Sequence, residues 1–358
     1  MNLDLTETQS LLRDSLREYL EREVPFDRIR ALDRDQTWDE RLWRELCSQG
    51  WLALASQGCG RGEAGGVEIG ILVEELARRA AVVPMAEVAA AARVIERHAE
   101  EEVARELLAG IRSGSRRPVP TVPDASDRAA VVVSEDGLLA GDAAFVDYAQ
   151  FATEHLVVAR DSDGVGLFVV DALEPTVAVR PRRSIARTPV ASVTYRGTPG
   201  RRLAGAAACA ELPRWGRIFA AVQCLGCMEQ ALEMTLRYAR IREQFGRPIG
   251  SFQAVQHHCA NMAMRVASGR FLVYEALSAL AGGAEADEPV ALAKASVSRA
   301  VPEVTMLAHQ IHGGNGVIEE NDLYFFTLRG KERSLAWGCA DDCLATVAAN
   351  LEAPHEWV

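Results

Sequence analysis

Apolar side chains constrain this chain most, because their spacing changes twice along it. From residue 3 to about 115 they recur at three- and four-residue steps: Leu11, Leu12, Leu16 and Leu20, then Ile71, Leu72 and Leu76, then Val103, Leu107, Leu108 and Ile111. That is the period of helices burying one face. Thr6-Glu7-Thr8-Gln9 sets a hydroxyl three residues before a glutamine, a capping box for the first helix. At Ser115-Arg116-Arg117-Pro118, with Pro120 just beyond, the helical pattern breaks and short apolar runs bounded by turn residues begin. Strands are predicted at Val131 to Ser134, Leu138 to Ala140, His155 to Ala159, Gly166 to Val170, Val177 to Val179 and Ser192 to Tyr195, ending near Gly205. Beyond Pro213 the helical period returns, and Ile218, Val222, Leu225, Leu232 and Leu236 mark one stripe to Ile241. At 1.5 Å per residue this helix is about 43 Å long. Further helices are predicted at Gln253 to Ala281, Pro289 to His309 and Asp322 to Leu351, a bundle of long helices. The expected fold is α+β and mostly α: a helical domain at 1–115, a small β domain at 116–205 and a C-terminal helical bundle at 206–358.

Composition narrows the partners. A chain of 358 residues exceeds one compact core, and 49% hydrophobic with 25% charged residues is ordinary for a folded globular protein. The net charge of -11 argues against a phosphate-backbone partner, whose affinity comes from clustered Lys and Arg. No apolar run approaches the roughly 20 residues that span a bilayer, and Met1 to Thr8 is polar and acidic, so a cytoplasmic protein without membrane insertion is expected. Among eight cysteines, Cys224 and Cys227 form a Cys-x-x-Cys, and Cys339 stands four residues before Cys343. Both pairs fall on predicted helices without the glycine knuckles that present zinc ligands, so they read as packing thiols and no metal is expected. The glycine-rich stretch Gly58 to Gly66 is a loop; no strand precedes it, so it does not read as a phosphate cradle.

Two glycine-anchored segments carry the chemistry. In Tyr238-Ala239-Arg240-Ile241-Arg242-Glu243-Gln244-Phe245-Gly246-Arg247-Pro248-Ile249-Gly250-Ser251-Phe252-Gln253, a helix ends at a loop fixed by Gly246, Pro248 and Gly250. The loop offers Arg242 as a planar donor for a pyrophosphate and Phe245 as an apolar face. In Gln310-Ile311-His312-Gly313-Gly314-Asn315-Gly316 a helix stops where two glycines free the backbone, and bare amides there can approach an anionic or polar ligand closely. Alone, the second segment is a helix end and a turn.

Together the two segments resemble the flavin-gripping motifs of the acyl-CoA dehydrogenase family, and the resemblance covers nearly the whole chain. It implies FAD as cofactor, with Arg242, Gln244, Phe245, Ile249, Phe252, Gln253, Gln310, Ile311, Gly313 and Gly314 as its contacts. In the family these segments reach across a dimer interface to a neighbouring subunit's FAD. The family reaction removes the α-proton of an acyl-CoA thioester with a carboxylate while the β-hydrogen leaves as hydride to the flavin.

The base is missing. One family placement of the glutamate corresponds to Gly216, beside Arg217, and the other to Trp337, before Gly338. Neither residue accepts a proton. Glu229 and Glu233 lie 13 and 17 residues past Gly216, about 20 and 25 Å along one helix. Glu332 precedes Trp337 by five residues, about 7.5 Å if helical, and is the one substitute within range; Lys331-Glu332-Arg333 also reads as a solvated, charge-paired face. Arg217 sits at a family position near the substrate CoA and reads equally as a helix-surface arginine. The family's Thr-Glu-Pro-Gly-like turn and Trp-Ile-Thr strand, which cradle the flavin ring, are also not matched: Val119 to Asp127 stands at the turn, and no tryptophan strand follows Leu139.

This division resembles the short, base-lacking subunits of actinobacterial α2β2 acyl-CoA dehydrogenases, which act on bulky CoA esters such as steroid side chains. It implies a homologous partner chain carrying the catalytic glutamate. Two alternatives stay open: a self-sufficient homotetramer using a displaced acid such as Glu332, and a non-enzymatic structural or CoA-ester-binding subunit.

Overall fold

The computed structural model describes residues 5–56, 65–121, 131–283 and 286–352. Six helices come first: α1 (Glu7–Glu23), α2 (Phe26–Asp35), α3 (Glu40–Ser48), α4 (Gly65–Arg78), α5 (Met85–His98) and α6 (Glu101–Ser113). The strands β1 (Pro118–Thr121), β2 (Val131–Val133), β3 (Leu138–Asp147), β4 (Glu154–Asp161), β5 (Gly164–Asp171), β6 (Val177–Arg182), β7 (Val190–Pro199) and β8 (Arg201–Ala204) follow. Then come α7 (Ala206–Ile241), the two-residue strands β9 (Glu243–Gln244) and β10 (Arg247–Pro248), α8 (Gln253–Ala281), α9 (Asp287–His312), α10 (Leu323–Leu335) and α11 (Ala340–Glu352). The order of helical, β and helical parts matches the expected fold class. The capping box forms as read: Thr6 Oγ1 accepts from the Gln9 amide, and the Gln9 side chain accepts from the Thr6 amide. The glycine-rich loop at 58–66 falls largely outside the described residues, as does most of the 119–127 stretch.

The chain divides into two compact units, one of residues 1–30, 66–81 and 217–358 and one of residues 31–65 and 82–216. In the second unit the sheet runs β6-β7-β3-β2-β4-β5-β8, with β1 added in parallel on β4. Helix α5 is buried from Met85 to Ile95; that stretch is mostly alanine and valine, and its two charged residues, Glu87 and Arg93, are buried with it. Strands β1 and β8 escape the sequence reading. Pro118 and Pro120 look like helix breakers, yet in a strand residues two apart present the same edge, so both missing N–H groups fall on one side. The end of β1 is pinned from within, where Thr121 Oγ1 accepts from the Tyr195 hydroxyl (3.3 Å) and donates to the Leu156 carbonyl (3.3 Å).

In the first unit, α1, α4 and α7 to α11 pack as long helices. Close approach depends on small residues: a Cβ added at Gly226 would stand 2.6 Å from the Glu74 carbonyl oxygen and 3.1 Å from the Arg78 amide nitrogen, both backbone atoms of α4. Gly226→Ala is therefore expected to force α7 off α4 and to cost about 1–3 kcal/mol, measured as a lowered urea midpoint with unchanged slope.

Two helix boundaries differ from expectation. Helix α7 begins at Ala206 and carries Pro213 inside it. Burial of Ala208, Glu211, Leu212 and Trp215 around the proline compensates the one hydrogen bond it removes. The stretch expected as a single helix from Asp322 to Leu351 is two, α10 and α11. Trp337 (φ 61°) and Gly338 (φ 105°) turn the chain left-handed between them, and the Asp342 carboxylate accepts from the Cys339 amide (2.8 Å) to start α11.

Candidate functional site

The long helix α7 stops because the chain reverses immediately after it. β9 pairs with β10, Gln244 opposite Arg247, and the two residues between them, Phe245 (φ 56°) and Gly246 (φ 79°), are both left-handed. That is the geometry of a two-residue type I′ hairpin. Glycine takes it without strain, whereas phenylalanine pays of order 1 kcal/mol for it. Phe245 is 91% exposed all the same: the hairpin holds an aromatic ring out into solvent. Phe252 packs edge-on to it at 6.0 Å, and the Arg247 guanidinium lies 4.2 Å over the Phe252 ring. The Ile249 amide donates back to the Arg242 carbonyl (2.8 Å), tying the loop to the helix end. Gly250 is required there, since a Cβ would meet the Ala239 carbonyl at 2.9 Å.

The second segment closes against the first. Helix α9 ends at His312; Gly313 (φ 59°) leaves the helix and Gly313–Gly316 forms a single 3-10 turn. His309 Nδ1 donates to the Gly316 carbonyl (2.7 Å) and Nε2 meets Thr327 Oγ1 (2.7 Å), fixing the turn's far end. The His312 ring stacks on Tyr238 of α7, centroids 4.4 Å apart and 14° from parallel.

Between these elements lies a pocket of about 410 Å³. It brings together six of the residues singled out from sequence: Arg242, Gln244, Ile249, Ile311, Gly313 and Gly314. Tyr238, His312 and Asn315 complete its wall; they sit inside the two motifs, but nothing in their spacing marks them. Phe245 on the hairpin and Phe252 at the start of α8 stand together outside the pocket lining, and Gln253 and Gln310 are exposed and do not line it. The lining suits the anionic, nucleotide half of FAD. Arg242 is exposed and makes no ion pair or side-chain hydrogen bond among the described residues, and Gly313 and Gly314 face open space where a Cβ would project. Arg242 would grip the pyrophosphate, and the glycine turn would let its backbone lie against the ligand. When bound, FAD supplies hydride acceptance.

Gly216 and Trp337, which the sequence resemblance equates with the family's base positions, sit in different settings. Gly216 is buried in α7. The next residue, Arg217, points its Nε at the Trp337 carbonyl (3.0 Å), so it serves as a backbone clamp. The fully buried Lys294 completes that clamp, with Nζ donating to Ser298 Oγ (2.9 Å) and to the carbonyls of Ser334 (2.8 Å) and Gly338 (3.0 Å). Burial lowers the Lys294 pKa, and three acceptors satisfy its three donors. Two cations thus lock Trp337 into a backbone conformation that a bulky residue adopts only under constraint.

The neighbouring acids are engaged elsewhere. Glu332 is not one helix run from Trp337, because α10 ends at Leu335. The face read as solvated and charge-paired is charge-paired and only partly solvated: Lys331 is exposed, while Arg333 is buried and donates to Glu332 Oε1 (3.1 Å), whose side chain is 19% exposed. Glu229 pairs with Arg78 (3.4 Å) and with Arg270, while Glu233 pairs with Arg78 (2.7 Å) and Arg237 (2.9 Å). Burial pushes the Glu233 carboxyl up, but the Arg78 hydrogen bond and the surrounding guanidinium charges outweigh it and leave the group lowered. Glu211, one acid that sequence spacing passes over, is buried five residues before Gly216. It accepts from Trp215 Nε1 (3.0 Å) and meets His98 Nε2 (2.7 Å) and Arg97 (3.5 Å), a set of partners that ties α7 to α5.

Cys224 and Cys227 are buried, and burial pushes their thiols up to about 11 and about 12, which disfavours the thiolates a zinc ion needs. Among the described residues no group of three or more His, Cys, Asp or Glu is arranged to hold a metal, and no helix is long and apolar enough to cross a membrane.

Comparison with known proteins agrees with these motifs. Residues 6–115 match the model of the acyl-CoA dehydrogenase N-terminal domain and residues 204–350 that of the C-terminal domain. Acyl-CoA dehydrogenase FadE27 of Mycobacterium tuberculosis (strain ATCC 25618 / H37Rv) is 30% identical over 343 residues, 90% of this chain and 91% of that one. A chain of the ChsE4-ChsE5 complex from Mycobacterium tuberculosis superposes with a TM-score of 0.92 at 28% identity, covering 99% of this chain and 100% of that one. A chain of the Tcur3481-Tcur3483 steroid ACAD superposes with a TM-score of 0.88 at 31% identity, covering 96% of this chain and 98% of that one. The chain belongs to the acyl-CoA dehydrogenase family, oxidoreductases that act on CH–CH bonds with FAD as their cofactor.

Proposed function

We propose that this chain is the base-lacking subunit of a heterotetrameric (α2β2) acyl-CoA dehydrogenase, gripping the nucleotide half of an FAD whose ring lies on a homologous partner chain. The partner brings the catalytic glutamate, and the pair carries out α,β-dehydrogenation of an acyl-CoA thioester. One observation carries this reading: Trp337 stands at the base position, clamped by Lys294 and Arg217, while the pocket at Arg242 and Gly313-Gly314 is intact. The three expected domains, 1–115, 116–205 and 206–358, are part of the same proposal.

The surface of α8 supports a partner. Over most of its first twenty residues its exposed positions include Ala254, His257, Ala260, Asn261, Ala263, Met264, Ala267, Ser268 and Phe271, with Arg265 as the exposed charge. Met264 is 61% and Phe271 51% exposed, and Met306 of α9 is 62% exposed. The exposed face, which also includes Gln253 and Gln256, mixes small and apolar residues with uncharged polar ones and carries few charges, and its exposed Met264 and Phe271 suit an interaction site. The similar structures that name two chains, one of them a steroid ACAD, support a two-chain assembly and a bulky, steroid-like CoA ester as substrate.

Co-expression with a homologous chain that carries the glutamate tests the proposal. The expected product is an assembly of both chains with one FAD for each pair. One FAD for every chain would overturn it, because this chain would then hold a flavin of its own.

A further inference from the structure

His312 is the feature of the pocket that the motif comparison does not assign. Its ring is 5% exposed, and its two nitrogens are in opposite situations. The Asn321 amide is oriented by the Leu323 backbone N–H, which donates to Asn321 Oδ1 (3.0 Å). Asn321 Nδ2 therefore faces His312 Nδ1 (3.2 Å) as a donor, so Nδ1 must accept and carries no proton. The proton sits on Nε2. That atom is closed off from solvent and has no acceptor among the described residues. Burial, with the neighbouring His309 second, lowers the pKa of His312 and keeps the ring neutral. The Tyr238 stack holds its plane.

A buried donor without an acceptor is costly, and native structures seldom keep one without a reason. Here the donor belongs to a residue that lines a pocket containing an unengaged guanidinium and an open glycine turn. We infer that the Nε2–H of His312 is a built donor for the adenosine-diphosphate half of FAD, and that ligand entry opens the closed edge of the ring and supplies the acceptor the chain lacks. The inference rests on the FAD-sharing reading above. Asn321 fixes the tautomer, Tyr238 fixes the plane, and Arg242 supplies the charge that brings the acceptor into the pocket.

The test uses the two-chain complex stripped of flavin and titrated with FAD and, separately, with FMN, which lacks the adenylate. Met and Gln at position 312 are similar in size, and only Gln offers an N–H. His312→Met is expected to weaken FAD binding about tenfold, to leave FMN binding within roughly twofold, and to be largely rescued in His312→Gln. His312→Phe, which keeps the stack and removes the donor, should behave like the Met variant and gives the same reading if the Met variant fails to assemble. Equal FAD affinity for the Met, Phe and Gln variants and the unaltered complex overturns the inference and leaves FAD sharing intact. An equal loss for FAD and FMN overturns it as well, showing His312 to be a packing residue. A wild-type complex that takes up no FAD removes both the inference and the reading beneath it.

Discussion

Arg242→Ala in the two-chain complex is expected to strip the cofactor: FAD affinity falls by about 30- to 300-fold, and the protein loses its yellow colour on gel filtration. The size follows from the bonding. A guanidinium on a pyrophosphate makes paired, charge-assisted hydrogen bonds, and on so exposed a side chain the pair is worth about 2–3.4 kcal/mol in all. In this chain Arg242 has no ion pair among the described residues to compete for it, and its loop is held by the Ile249 to Arg242 backbone bond rather than by its side chain. The substitution therefore removes the ligand's partner without removing a structural one, and the melting temperature of the flavin-free complex should stay within a degree or two of the unaltered one, as for an exposed site. Arg242→Lys should recover only part of the affinity, since a point charge does not reproduce the fork.

The second large effect is an asymmetry between chains. Glutamine in place of the partner's catalytic glutamate is expected to lower turnover by about 10²- to 10⁴-fold, the range a general base contributes. Glu332→Gln and Glu211→Gln in this chain should each leave turnover within roughly twofold, since neither carboxylate faces the substrate in this reading. Glu332 is held by Arg333, and Glu211 is surrounded by Trp215, His98 and Arg97. A collapse of activity in Glu332→Gln, with flavin retained, would make Glu332 the base and restore the self-sufficient reading. Steady-state rates with a single acyl-CoA, alongside flavin content, separate the two outcomes.

Much of this was legible from residue order alone because it depends on local period and local turn chemistry. The stripe from Ile218 to Leu236 could only be helix, and the hairpin after Ile241 needs a residue such as Gly246 that is comfortable left-handed. The pocket was legible in part. Arg242 and Gly313-Gly314 announce themselves by chemistry, while Tyr238 and His312 enter only because two helices some seventy residues apart in sequence bring one ring onto another. The misreadings share a cause, tertiary burial overriding a local rule. Pro213 sits inside α7 because its neighbours are buried, and Pro118 and Pro120 sit in a strand because their bare edge faces away from its ladder. The split between α10 and α11 did have a signal, Gly338 followed by Asp341-Asp342. What spacing could not reveal is that Lys294, forty residues earlier, reaches into that turn and holds it.

The claim beneath all of this is that the chain lends cofactor contacts and does no proton abstraction. The most direct measurement is made on the chain purified without any partner, as its flavin absorbance and the bleaching of that absorbance on addition of an acyl-CoA. The account predicts a colourless or insoluble protein that bleaches nothing. A yellow homotetramer that oxidises the thioester unaided would contradict it.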